Sequence, residues 1–180
     1  MSYVFEPAPV PTIAVADSDD LVPVRRIFCV GRNYAAHARE MGRDPDREPP
    51  FFFQKPTDAI QNVGIGTVAD HPYPSLTKNY HYEVELVVAL KSGGRNIPQE
   101  TALDHVFAYA VGLDMTRRDL QDEAKKMRRP WDISKGFDGS AVFTGLKPGV
   151  SYKFTVANRL PVAGNTDLPG DGGGVWTAAA

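Results

Sequence analysis

Glu83 and Glu85 stand two apart in the apolar run His81-Tyr82-Glu83-Val84-Glu85-Leu86-Val87-Val88-Ala89-Leu90. In a strand, residues two apart project to the same face. The two carboxylates would therefore lie side by side on a segment otherwise built for burial. Like charges held that close repel, and each is costly to desolvate unless something positive joins them. A divalent cation bound through oxygen resolves both problems. Asp114 ends a second apolar run, 106–113. Three acidic oxygen donors with no cysteine among them suit Mg²⁺ or Mn²⁺ better than zinc. The alternative is a solvated strand face, with Tyr82, Val84 and Leu86 buried and both glutamates in water. Val87 to Leu90 is apolar on both faces, which argues for burial, but spacing alone leaves the two alternatives balanced.

Other side chains could join this chemistry. His37 and Glu40 are three apart on a predicted helix and can meet on one face. A glutamate that orients a histidine makes the imidazole a better general base for water; an exposed surface pair is the plainer alternative. Lys135, between a tryptophan-containing turn and the glycines Gly136 and Gly139, could neutralise an enolate or carboxylate, or simply be solvated. The segment 116–129 carries Arg117, Arg118, Lys125, Lys126, Arg128 and Arg129. It is either a solvated helix face or a place where Arg118 or Gln121 reaches a dianionic substrate. Asp119, Asp122 and Glu123 interrupt the basic patch, which argues against nucleic acid. The glycines at 64, 66 and 172–174 precede no convincing helix, so a phosphate loop is rejected. His71, His81 and His105 lack metal-like mutual spacing.

The elements that must position these residues read as short and β-rich. A short strand at 27–30 stops at Gly31, a helix is predicted over 33–41, and a polar loop over 43–50 leads to a strand at 51–54. Loop follows over 64–80. Strands at 82–90 and 105–113 flank a turn at 92–96, and a helix over 116–127 stops before Pro130. Many short strands with two short helices make a β-rich α+β domain. With 180 residues, 42% hydrophobic and 23% charged, the chain has the size and composition of one globular domain. A net charge of −2 offers no attraction to nucleic acid or an anionic membrane. The single cysteine, Cys29, forms no internal disulfide and fits a reducing compartment. No apolar stretch is long enough to span a membrane and the start lacks a signal-peptide pattern, so a cytoplasmic protein is expected.

In order along the chain, several segments resemble the fumarylacetoacetate hydrolase family, and within it the fumarylpyruvate and acylpyruvate hydrolases. They are Phe28-Cys29-Val30-Gly31-Arg32-Asn33-Tyr34-Ala35-Ala36-His37, Pro50-Phe51-Phe52-Phe53-Gln54-Lys55-Pro56 and His81-Tyr82-Glu83-Val84-Glu85-Leu86. Gly112-Leu113-Asp114-Met115-Thr116-Arg117-Arg118-Asp119-Leu120-Gln121 and Arg129-Pro130-Trp131-Asp132-Ile133-Ser134-Lys135-Gly136-Phe137 complete the set. The resemblance implies a mixed β-sandwich or β-roll assembled as a homodimer. It implies Mg²⁺ or Mn²⁺ held by Glu83, Glu85 and Asp114, and a water-activating dyad of His37 and Glu40. Lys135 would stabilise developing negative charge, while Arg32, Arg118 and Gln121 place the substrate. The implied reaction is hydrolysis of the carbon–carbon bond of an acylpyruvate, with fumarylpyruvate giving fumarate and pyruvate in gentisate breakdown. Oxaloacetate decarboxylation or hydrolysis of simpler acylpyruvates needs the same metal and is the nearest alternative. An inactive metal-binding remnant is another.

The family pattern stops shortly after Gly139-Ser140. Residues 1–24 read as an N-terminal arm, 25–150 as a partial catalytic domain, and 151–180 as a divergent, poorly ordered tail. The fold is therefore expected to be incomplete at its C-terminal side, leaving sheet edges and apolar surface open.

Overall fold

The computed structural model describes residues 2–31 and 51–145, together with the backbone of Lys153–Phe154 and Trp176–Thr177. The chain is strand-rich, as expected. The segment read as an N-terminal arm is an antiparallel hairpin of β1 (Thr12–Ala14) and β2 (Leu21–Pro23). A second antiparallel pair joins β3 (Ile27–Gly31) to β4 (Phe51–Lys55). The main sheet has the order β5 (Ile60–Val63), β10 (Ala141–Thr144), β8 (Val106–Asp114), β7 (Val84–Leu90). Only its β5–β10 pairing is parallel. The predicted helix over 33–41 and loop over 43–50 lie outside the described residues. Of the predicted tail, the described backbone is one antiparallel pairing of Lys153–Phe154 with Trp176–Thr177.

Period-2 alternation determines what each face does. Val87 stands opposite Ala110, Ala89 opposite Ala108, and Phe143 opposite Gly112. These residues form the inner face and pack with Ile13 of β1, Val22 of β2 and Ile27 of β3 in the main core. The N-terminal hairpin therefore lies over the sheet, and Asn62 ties it down by donating its side-chain amide to the Thr12 carbonyl (2.8 Å). On the opposite face, Leu86, Val88 and Leu90 of β7 and Phe107 and Tyr109 of β8 are exposed. A smaller core of Met115, Phe137 and Val142 closes the end of that face near β6 (Tyr80–His81).

Gly112 is required by close packing. A Cβ there would lie 2.8 Å from both a Phe143 ring carbon and a Val87 methyl. The Phe143 ring takes that space and seals the inner face next to the carboxylate end of the sheet.

After Asp114 the chain makes β9 (Thr116–Arg117), which pairs with β6, and then enters α1 (Arg118–Met127). Asp119, in the first turn, accepts hydrogen bonds from the Thr77 hydroxyl (2.6 Å) and the Lys78 N–H (2.8 Å). Burial would raise its carboxyl, but these bonds outweigh burial and lower its pKa. The helix ends where Arg128 adopts a left-handed conformation (φ 54°), as helix C-termini commonly do. The short α2 (Asp132–Lys135) follows, with the Ser134 and Lys135 N–H groups both donating to the Trp131 carbonyl at 2.9 Å.

Candidate active site

The inner face of the sheet changes from apolar to ionic at one end. Glu83 continues the β7–β8 ladder by one pair. The Asp114 N–H donates to the Glu83 carbonyl (2.8 Å), and the Glu83 N–H to the Asp114 carbonyl (3.2 Å). Directly opposed residues share a face, so the two carboxylates converge. Glu85 is on that same face, opposite Gly112, and is partly buried.

Three cations close over Glu83 and Asp114. Lys135 Nζ lies 2.6 Å from Glu83 Oε2, 2.6 Å from Asp114 Oδ2 and 2.7 Å from Thr116 Oγ1. Arg118 pairs with the other oxygen of Glu83, and its second amine donates to Gln121 Oε1 at 2.5 Å. Lys55 Nζ lies 2.8 Å from Asp114 Oδ1. It also donates to the carbonyls of Lys135 (2.5 Å) and Met115 (3.3 Å). Asp114 Oδ1 is buried and faces the Lys55 ammonium as an ion pair.

The electrostatics follow from these contacts. Burial alone would raise the Glu83 carboxyl, but the charges and hydrogen bonds of Lys135, and then of Arg118, outweigh it. Its pKa is held down to about 2. Burial lowers the Lys55 pKa, with Asp114 opposing that effect. Cys29, on the same face of the β3–β4 pair, has its thiol pushed up to about 11, first by burial and then by Asp114. Burial, and then Arg118, lower the His81 pKa.

Beside Lys135 opens a cleft of ≈ 440 Å³ with Phe51, Phe53, Arg129 and Trp131 among its walls. The Trp131 ring meets Phe51 and Phe53 edge-on at 5.1 and 5.7 Å, and Lys135 Nζ lies 5.3 Å from the Phe53 ring centre.

Five residues singled out by their types and spacing are thus brought together: Glu83, Asp114, Arg118, Gln121 and Lys135. Glu85 shares their face. Arg32, His37 and Glu40 lie outside the described residues. Lys55 and Thr116 were not anticipated. Alternation along Phe51-Phe52-Phe53-Gln54-Lys55 puts the lysine on the face of Phe51 and Phe53, but its burial depends on partners distant in sequence.

Among the described residues, no three His, Cys, Asp or Glu side chains are gathered closely enough to hold a metal ion, and Lys135 bridges Glu83 and Asp114. The donor set still suits a hard divalent cation. Two carboxylates converge and a third shares their face, an all-oxygen set of the kind such ions take.

A β-rich fold with an acid–lysine cluster on the inner face of its sheet defines the class. Residues 26–150 match the family described as fumarylacetoacetate (FAA) hydrolase C-terminal, and the chain belongs to that family. It is similar to fumarylpyruvate hydrolase from Pseudomonas aeruginosa, solved in complex with Mn²⁺ and pyruvate. The TM-score is 0.79 at 56% identity, over 82% of this chain and 63% of that one. A putative fumarylpyruvate hydrolase from Burkholderia cenocepacia gives a TM-score of 0.69 at 51% identity, over 82% and 61% of the two chains. Among curated relatives, the mitochondrial oxaloacetate decarboxylase of Dictyostelium discoideum is 42% identical over 151 residues, 79% of this chain and 67% of its own length. The mitochondrial oxaloacetate tautomerase of Arabidopsis thaliana is 40% identical over 123 residues, 68% of this chain and 53% of its own. The chain thus spans about three fifths of the solved relatives and roughly half to two thirds of the curated ones.

Proposed function

We propose that this protein hydrolyses the carbon–carbon bond of an acylpyruvate, with fumarylpyruvate as substrate and fumarate and pyruvate as products. The observation that carries the proposal is the convergence of Glu83 and Asp114 on one cationic point beside an open cleft. The likeness to a fumarylpyruvate hydrolase bound to Mn²⁺ and pyruvate supports it.

Glu83, Asp114 and Glu85 would hold Mg²⁺ or Mn²⁺. When bound, such an ion supplies positive charge to the oxygens of the pyruvate half of the substrate. The remaining work falls to the protein's own side chains. His37, oriented by Glu40, takes a proton from water as the water oxygen bonds to the ketone carbon remote from the pyruvate half. The carbon–carbon bond then breaks. Its electron pair passes to the pyruvate enolate, and the terminal carbon takes up a proton. The ammonium of Lys135 meets the enolate charge as it forms, while Arg118, Gln121 and Arg32 orient the substrate carboxylates.

A second reading rests on the curated relatives named for oxaloacetate decarboxylation and tautomerisation. Oxaloacetate would leave the same pyruvate enolate on losing carbon dioxide, so the same cluster serves both reactions. Placement in a reducing compartment fits the single free Cys29, and among the described residues no helix is long and apolar enough to cross a membrane. We read the assembly as a homodimer, for which the exposed apolar face of the main sheet provides surface to cover. Turnover of fumarylpyruvate, acetylpyruvate and oxaloacetate in Mn²⁺, with products identified by chromatography, tests the reading. Fumarate and pyruvate in equal amounts support it. Oxaloacetate turnover alone supports the second reading, and a folded protein inert to all three sinks both.

A further inference from the structure

Glu83 and Asp114 each have one cation of their own and share a third. Arg118 belongs to Glu83, Lys55 to Asp114, and Lys135 bridges the two at 2.6 Å from each. The private cations are anchored elsewhere. Lys55 is also bound to two carbonyls, and Arg118 to Gln121. Among the described residues, the Lys135 ammonium donates to the two carboxylates and Thr116 Oγ1 alone. Its backbone, by contrast, is pinned by the bond from Lys55 to its carbonyl, so the side chain can move while the peptide stays.

A divalent cation added to this cluster would meet three positive charges already in place within contact range of the same oxygens. In a partly buried site such repulsion is strong, because screening by water is weak. We propose that Lys135 is an exchangeable internal cation. It bridges Glu83 and Asp114 in the metal-free protein and leaves the bridge when a divalent ion takes those carboxylates. Lys55 and Arg118 stay and keep both carboxylates oriented. The cleft walled by Phe53 and Trp131 lies next to the Lys135 side chain, so the displaced ammonium swings towards the space where a substrate anion would sit. Metal loading then precedes anion binding and makes Lys135 available for it. This inference rests on the proposed metal-dependent reading of the site.

The test is Mn²⁺ affinity, measured by the loss of the free-ion electron paramagnetic resonance signal, for the full chain and for Lys135→Met. Removing a competing charge at contact distance should tighten Mn²⁺ binding at least about tenfold, while the metal-free variant melts lower because its two carboxylates lose their bridge. Equal or weaker binding by a folded Lys135→Met overturns the exchange. Should that variant not melt cooperatively, Thr116→Val decides, since it weakens the hold on Lys135 while leaving both carboxylates in place. Its Mn²⁺ affinity should rise a few-fold, and an unchanged or lower affinity overturns the proposal. Failure of the unaltered protein to bind Mn²⁺ at all would remove the metal-dependent reading and the exchange with it. Binding that is indifferent to both substitutions removes the exchange alone.

Discussion

Glu83 and Asp114 face each other as a backbone-paired couple, exchanging N–H···O bonds of 2.8 and 3.2 Å. Two carboxylates are thereby fixed on one face by the ladder itself, before any side-chain contact is made. Like charges directly opposed on a sheet destabilise it. Three basic side chains reverse that effect here: Arg118 serves Glu83, Lys55 serves Asp114, and Lys135 serves both.

Glu83 sets an acid limit on stability. Its carboxyl lies at about 2 when folded against 4.5 when free, so it binds fewer protons in the native state. The stabilisation is full above 4.5 and is lost as pH falls towards about 2, a difference on the order of 3 kcal/mol. In chelator, the melting temperature of the unaltered protein should fall more steeply across that window than that of Glu83→Gln. Parallel pH profiles would contradict this.

Lys55 is the buried half of an ion pair with Asp114, its side chain 2% exposed. Lys55→Met takes away one of the two cations that neutralise Asp114 and the donor to two carbonyls, and should cost up to about 3–5 kcal/mol in denaturant unfolding. Coupled to Asp114→Asn, the loss should shrink, because the excess buried charge is gone. Additive losses would mean that Lys55 acts only through the carbonyls.

The sequence makes much of this site legible and conceals a definable part. Alternation along 82–90 and the apolar run ending at Asp114 identify the two strands, and put Glu83 and Glu85 on one face. The relation of Glu83 to Asp114 is harder to read, because it depends on register, which is set by thirty residues of intervening chain. Lys55 escapes for a related reason. Its partner is 59 positions away in sequence, and nothing local separates a buried lysine after an aromatic strand from a solvated one. The hairpin of β1 and β2 reads as an arm because the buried residues that cluster with Ile13, namely Ala108, Ala110, Ala141 and Phe143, are all distant in sequence. The parallel pairing of β5 with β10 likewise has no local signature.

Gly112 should tolerate no side chain cheaply. Gly112→Ala puts a methyl group 2.8 Å from Phe143 and Val87, and overpacking of this kind costs roughly 1–3 kcal/mol. Adding Phe143→Leu should recover part of the loss in thermal unfolding. A single variant as stable as the unaltered protein would show that the ring gives way freely.

Cys29 should be a sluggish nucleophile. With its thiol near 11, little thiolate exists at neutral pH. Alkylation should be slow at pH 7, rise with pH up to about 11, and accelerate sharply in denaturant. Reaction at the rate of a small free thiol would mean that the β3–β4 pair does not cover it.

A cation-holding role for Glu83 and Asp114 can be read from thermal unfolding of the purified chain with and without millimolar Mn²⁺, alongside Glu83→Ala. The melting temperature should rise with Mn²⁺, and the rise should be lost in the variant. A cooperative melt indifferent to Mn²⁺ in the unaltered protein, or an equal rise in both proteins, would contradict it.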